Sequence, residues 1–215
     1  MRSVLIIETS TDTASIALAV DGEIGVEKTF RSDRRHNAML FEPLSEIIAE
    51  HGTHLFDAVF VGSGPGSYSG TRVGIAAAQG AALVAACKAV AIPSVLATPE
   101  ALTGENCLAC GDARRGSYWT ARINGGGFVS GPEITDVFGF DAVVSAAVEK
   151  GTTVFSMETI RGKDIPVTRP SASGLWQVWQ NASAQTRALW VAHQPQPIYL
   201  APPHITPSKK EVFGT

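Results

Sequence analysis

The sequence predicts an α/β fold, on three observations. Ser3–Glu8 is a short apolar run of buried-strand type, and Ile16, Leu18 and Val20 then fall on one face at period two. Asp21-Gly22 follows, the strongest hairpin signal in the chain. Beyond position 35, stretches with apolar residues at three- and four-residue steps alternate with short β-rich runs, the pattern of parallel strands linked by helices.

In order, Ser3–Glu8, 14–20 and 23–30 form three antiparallel strands. Met39, Leu40, Leu44, Ile47 and Ile48 share one stripe of a helix over 35–51, with Phe41 off the stripe and Gly52 as the stop. Residues 57–62 (D-A-V-F-V-G) make a fourth strand, parallel because a helix precedes it. A glycine loop and a helix over 69–87 follow, then a strand over 89–93. Thr98-Pro99-Glu100 begins another helix, with proline at the first helical position.

The order β-β-β-α-β-α-β-α is that of a ribonuclease-H-like unit, so 1–103 read as a complete N-terminal lobe and 104–215 as a second, abbreviated one. The second lobe should hold strands over 107–111 and 117–123 joined by the turn 112–116, and a glycine run (Gly125 to Gly127) leading to a strand over 133–138. A helix over 141–150, a strand over 152–157 and a long helix over 173–192 complete it. The proline-rich 194–203 can only be an edge strand or an extended segment, expected to pack back on the first lobe, and Lys209-Lys210 and the chain end are expected to be mobile.

Of 215 residues 45% are hydrophobic and 17% charged, a globular composition whose somewhat apolar surface points to a partner. The net charge of −3 gives no electrostatic footprint for nucleic acid, so a tRNA contact would be indirect, through another subunit. The apolar stretch 4–7 is too short for a signal peptide or a membrane span, and a cytoplasmic protein is expected. Three cysteines make no disulfide framework, and Cys107-x-x-Cys110 lies in a strand, where core packing is the plain reading. His36, His51 and His54 have no third ligand nearby and read as surface or capping residues rather than a metal site.

The loop Gly62 to Gly74, G-S-G-P-G-S-Y-S-G-T-R-V-G, resembles a phosphate cradle but matches neither G-x-x-x-x-G-K-[ST] nor G-x-G-x-x-G. A glycine loop entering a helix still allows weak anion binding. Glu8, Thr9, Ser10 and Thr11 at the end of the first strand, with Asp112 across a cleft, are the candidate nucleotide or anion residues, set against a plain Ser/Thr turn. No G-x-S-x-G frame supports a hydrolase triad. The helix after the loop is more informative: Gly70, Gly74, Ala77, Ala78, Ala81, Ala82 and Ala85 leave it small on more than one side, which suits close approach of a second subunit.

Four segments carry a resemblance: V-L-I-I-E-T-S-T-D-T-A-S-I-A-L (4–18), R-H-N-A-M-L-F-E-P-L (35–44), G-S-G-P-G-S-Y-S-G-T-R-V-G-I-A-A-A-Q-G (62–80) and D-A-R-R-G-S-Y-W (112–119). They resemble the TsaB (YeaZ) family, with a weaker return at P-I-Y-L-A-P-P-H (197–204). The resemblance implies an actin-like ATPase (ASKHA) fold and a non-catalytic part in making threonylcarbamoyladenosine in tRNA. It also implies a TsaD-like catalytic subunit and a TsaE-like ATPase as partners, a homodimer when alone, and no cofactor of its own; whether ATP and magnesium sit at the complex interface is left open by the sequence. It puts the partner interface on the first two helices, at His36, Met39, Leu40, Pro43, Gly70, Arg72, Val73, Ala76, Ala77 and Gly80. Most relatives have Asp where this chain has Glu8. The alternatives are an ATP-dependent phosphotransferase of the sugar-kinase type and a metal-dependent M22-type glycoprotease.

Overall fold

A computed structural model describes residues 1–31, 36–51 and 56–200; of His36, Asn37, Ala38 and His51 it places the backbone alone. His54, Gly52, Lys209-Lys210 and the end of the proline-rich tail lie outside the described residues.

The first lobe is a five-stranded sheet in the order β3-β2-β1-β4-β5, built from β1 (Ser3–Glu8), β2 (Thr13–Val20), β3 (Glu23–Arg31), β4 (Ala58–Gly62) and β5 (Lys88–Ile92). Asp21 and Gly22 both take positive φ, the geometry a two-residue hairpin needs to match the twist of its strands. β1 pairs antiparallel with β2 and parallel with β4, as the intervening helix requires. The helices α1 (His36–His51) and α2 (Tyr68–Val84) cover one face. There Leu5, Ile7, Val59 and Val61 meet Leu40, Leu44, Ile47, Ile75, Ala78 and Ala82.

After a 3₁₀ turn at Ser94–Ala97 and the single-turn α3 (Pro99–Leu102), the second sheet runs β8-β7-β6-β9. Its strands are β6 (Cys107–Arg114), β7 (Ser117–Asn124), β8 (Gly127–Thr135) and β9 (Thr153–Ser156), with α4 (Val137–Glu149) on its outer side. Thr98 precedes Pro99 as expected, but its hydroxyl donates to the Val95 carbonyl at 2.8 Å instead of capping α3. α5 (Ala172–Asn181) and α6 (Ala184–Ala192) follow. α5 returns to the first sheet, where Trp176 stacks on Phe60 with ring centroids at 6.0 Å and Trp179 lies tilted against it at 4.5 Å. Such pairs contribute ~1 kcal/mol beyond their area. The core around them includes Ala109, Trp119 and Phe155 of the second sheet, so one apolar cluster joins the two sheets.

Three expectations are corrected. The strand over 133–138 is instead β8 at Gly127–Thr135, because Gly125 and Gly126, both at positive φ, form the hairpin turn and do not merely lead to a later strand. The helix over 141–150 starts at Val137, since Asp136 caps it by accepting the Gly139 N–H at 2.8 Å. The long helix over 173–192 is two helices. Ser183 caps α6, and Arg187 donates to the carbonyls of Trp179 and Gln180 at the end of α5. Residues 194–200 are extended without joining a sheet.

The glycines of the signature have a common cause. A Cβ on Gly66 or Gly70 would overlap the Ser10 or Thr9 carbonyl oxygen, one on Gly74 would overlap Thr9 Oγ1, and one on Gly62 would overlap the Glu8 carboxyl. All four positions receive the turn after β1, which lies directly on the loop and α2. Gly80, by contrast, has open space where a Cβ would sit. Gly70→Ala should therefore lower unfolding stability in urea by about 1–3 kcal/mol through overpacking. Gly80→Ala should leave it unchanged or raise it by ~0.5–1 kcal/mol, the gain expected in a helix interior.

Candidate functional site

Two regions were singled out by sequence, and the structure places them on opposite sides of α2. The inner side carries the turn. The Thr9 hydroxyl donates to the Gly70 carbonyl at 2.8 Å, Ser67 N–H donates to the Ser10 carbonyl at 2.6 Å, and the Glu8 carboxylate accepts Ser10 N–H at 2.6 Å. Glu8 is fully buried, and burial pushes its carboxyl pKa up against the opposing hydrogen bonds from Ser10. Among the described residues Glu8 Oε2, Ser10 Oγ and Thr71 Oγ1 have no hydrogen-bond partner.

The candidate anion residues are therefore split. Glu8 and Thr9 point into the protein. Ser10 and Thr11 line a cleft of ≈ 700 Å³ between the lobes, walled opposite by Gly111, Trp119 and Glu158. Asp112 lines an adjoining chamber of ≈ 670 Å³. The cationic groups at this cleft are already engaged: Arg169 donates to both carboxylate oxygens of Asp12 at 2.6 and 3.0 Å, and Arg114 bridges Asp112 at 3.1 Å and Glu158 at 3.3 Å. The Arg169 guanidinium holds the Asp12 carboxyl below its ordinary range, whereas burial raises that of Glu158.

Several donors of the glycine loop are used within the chain. Ser63 N–H donates to the Ile92 carbonyl, Gly64 N–H to Ser94 Oγ, and Gly70 N–H to Ser67 Oγ. A phosphate needs free donors, so these N–H groups are closed to it.

The outer side of α2 is apolar and open. Val73, Ala76, Ala77 and Gly80 line one wall of a groove of ≈ 500 Å³, and Phe41, Leu44 and Ile48 of α1 line the other. Phe41 is 52% exposed, and Val84 of α2, which also lines the groove, is 62% exposed. A contiguous exposed apolar patch of this kind marks an interaction site.

Of the expected interface residues, Val73, Ala76, Ala77 and Gly80 come together here. Met39 is exposed on α1 and Pro43 is half-buried, but neither lines the groove, and the side chain of His36 is outside the described residues. Leu40 and Gly70 are corrections: Leu40 is fully buried under the helix, and Gly70 is buried against Thr9, so neither can meet a partner. Arg72 is exposed but engaged within the chain. Its guanidinium lies 3.8 Å from the Tyr68 ring and donates to Tyr199 Oη at 3.0 Å.

Sequence reasoning missed Phe41 and Ile48 in the groove, and Tyr68, Arg114, Trp119, Glu158 and Arg169 in the cleft. Phe41 had a signal: an aromatic on the side of the helix away from its buried stripe. Cys107 and Cys110 are buried, with thiols pushed up by burial to about 11 and about 12, and so are inert packing groups. Among the described residues no group of three or more His, Cys, Asp or Glu could hold a metal ion, and no helix is long and apolar enough to cross a membrane.

The family model described as "TsaD: tRNA N6-adenosine threonylcarbamoyltransferase" matches residues 30–178. The chain is similar to the tRNA threonylcarbamoyladenosine biosynthesis protein TsaB of Escherichia coli (strain K12), 33% identical over 123 residues, covering 54% of this chain and 53% of that protein. It is also similar to TsaB of Haemophilus influenzae, 33% identical over 130 residues, covering 56% and 53%. The match thus spans about half the length of these curated relatives. Two solved structures from Pseudomonas aeruginosa share the fold. One, described as similar to peptidase YEAZ, has a TM-score of 0.68 at 21% identity over 94% of this chain and all of that one; the other, YeaZ, has a TM-score of 0.64 at 21% identity over 93% and all of that chain.

The buried Glu8 predicts a pH dependence. A carboxyl whose folded pKa is raised above its ordinary 4.5 stabilises the fold fully only below that value, and the stability is lost as pH rises through the folded pKa. Unfolding free energy should therefore decline above pH 4.5, and Glu8→Gln, which cannot ionise, should flatten that decline in urea titrations across the range.

Proposed function

Because the chain belongs to the TsaD family of tRNA N6-adenosine threonylcarbamoyltransferases, on its TsaB (YeaZ) side, we propose that it is a non-catalytic scaffold subunit for threonylcarbamoylation of the adenosine beside the tRNA anticodon. It binds and activates a TsaD-like catalytic subunit. A TsaE-like ATPase completes the assembly, tRNA is met only through the complex, and the chain pairs with a second copy of itself when alone. It carries no nucleotide of its own, and ATP with magnesium acts at the junction with the catalytic subunit. The setting is cytoplasmic.

The observation that carries this reading is the open groove between α1 and α2. Both walls are apolar and the α2 wall is mostly small, so a helix of another subunit can approach α2 closely and bury side chains between Phe41 and Val73. The cleft offers less to a reaction, since Arg114 and Arg169 are held by carboxylates.

Ala76→Glu and Val73→Asp place a charge in that groove. Ala76 is exposed and Val73 only half-buried in the free chain, so thermal unfolding should shift little. Binding to the TsaD-like subunit, measured by calorimetry, should weaken at least about tenfold, the effect of ~1.4 kcal/mol. Unchanged affinity in both variants would sink the proposal.

A further inference from the structure

Residues 194–200 cross the N-terminal end of α2 with no sheet to join. They are held at four points. Pro195 is buried, Ile198 N–H donates to the Ser63 carbonyl at 2.8 Å, Tyr199 Oη accepts from Arg72 at 3.0 Å, and Leu200 packs against the main core. The Arg72 guanidinium lies between two rings, 3.8 Å from the centroid of Tyr68 and 5.5 Å from that of Tyr199. Pro197, Ile198 and Tyr199 thereby form a wall of the chamber whose other sides include Thr71, Asp112 and Trp119. Inside it Thr71 Oγ1 is buried and, among the described residues, has no hydrogen-bond partner.

We propose that residues 194–200 are a latched strap over this chamber, and that the Tyr68–Arg72–Tyr199 stack is the latch. Pro195, which is buried, and Leu200, packed against the main core, anchor the two ends of the segment. Between them a single main-chain hydrogen bond at Ile198 opposes the conformational entropy of the chain, and the stack adds to it from exposed side chains: Tyr68 is 65% and Tyr199 51% exposed. Contacts made at the surface are weak singly and exchange readily. The closed strap is therefore one of two accessible states, and opening it uncovers Thr71 and the Ser63 loop.

The test is amide hydrogen exchange on the full chain alone, which makes its outcome independent of whether any partner binds. Exchange at Ile198 should quicken at least tenfold in both Tyr199→Ala and Arg72→Ala, with no further gain in the double variant, because the two residues act as one contact. Tyr199→Phe, which keeps the ring and loses only the hydroxyl, should fall between. Amides of β1 should stay protected in all variants, which shows the fold intact. Unchanged exchange at Ile198, or single effects that simply add, would overturn the proposal.

Discussion

Everything else in the molecule is arranged around one contact, the seating of the turn Glu8-Thr9-Ser10 on Gly62, Gly66, Gly70 and Gly74. The four glycines recur every four residues, and each removes a Cβ that would strike the turn. Two hydrogen bonds then lock the pieces together, from the Thr9 hydroxyl to the Gly70 carbonyl and from Ser67 N–H to the Ser10 carbonyl. Dense packing of this kind tolerates almost no change in volume. The contact fixes the height and rotation of α2 over the sheet, and so decides which of its residues face inward and which remain outside.

The consequences run in both directions from α2. Inward, the turn is drawn so deep that Glu8 is sealed from solvent and Gly64 N–H is taken by Ser94, while in the cleft Arg169 is held by Asp12 and Arg114 is shared by Asp112 and Glu158. Outward, the same rotation leaves Val73, Ala76 and Gly80 facing the exposed Phe41 of α1. An apolar groove in this place is costly for a free subunit and useful for one that docks. The division of α2 into a glycine side for the turn and an open alanine side is what the proposed scaffold role rests on.

Much of the fold was legible in the sequence because its cues are local. Asp21-Gly22 specifies a hairpin by its backbone preferences, and the stripe Leu40, Leu44, Ile47 specifies a buried helix face by period alone. The strand after Gly125 and the break at Ala182 were misread although their signals were present, as the Asp136 and Ser183 caps show. The purpose of the glycines was not legible, because a missing Cβ reveals that something comes close without revealing what. The same blindness put Leu40 and Gly70 on the docking surface. The cleft pairs were hidden for a different reason: Asp12 and Arg169 are 157 residues apart, and no local pattern links them.

The most direct test of the docking role is amide hydrogen exchange of the chain with and without a purified TsaD-like subunit. The peptides of α1 and the outer turns of α2 should become strongly protected, with residues 112–119 of the cleft wall unchanged. Protection confined to the cleft wall and the 62–67 loop, with α1 exchanging as in the free chain, would contradict it.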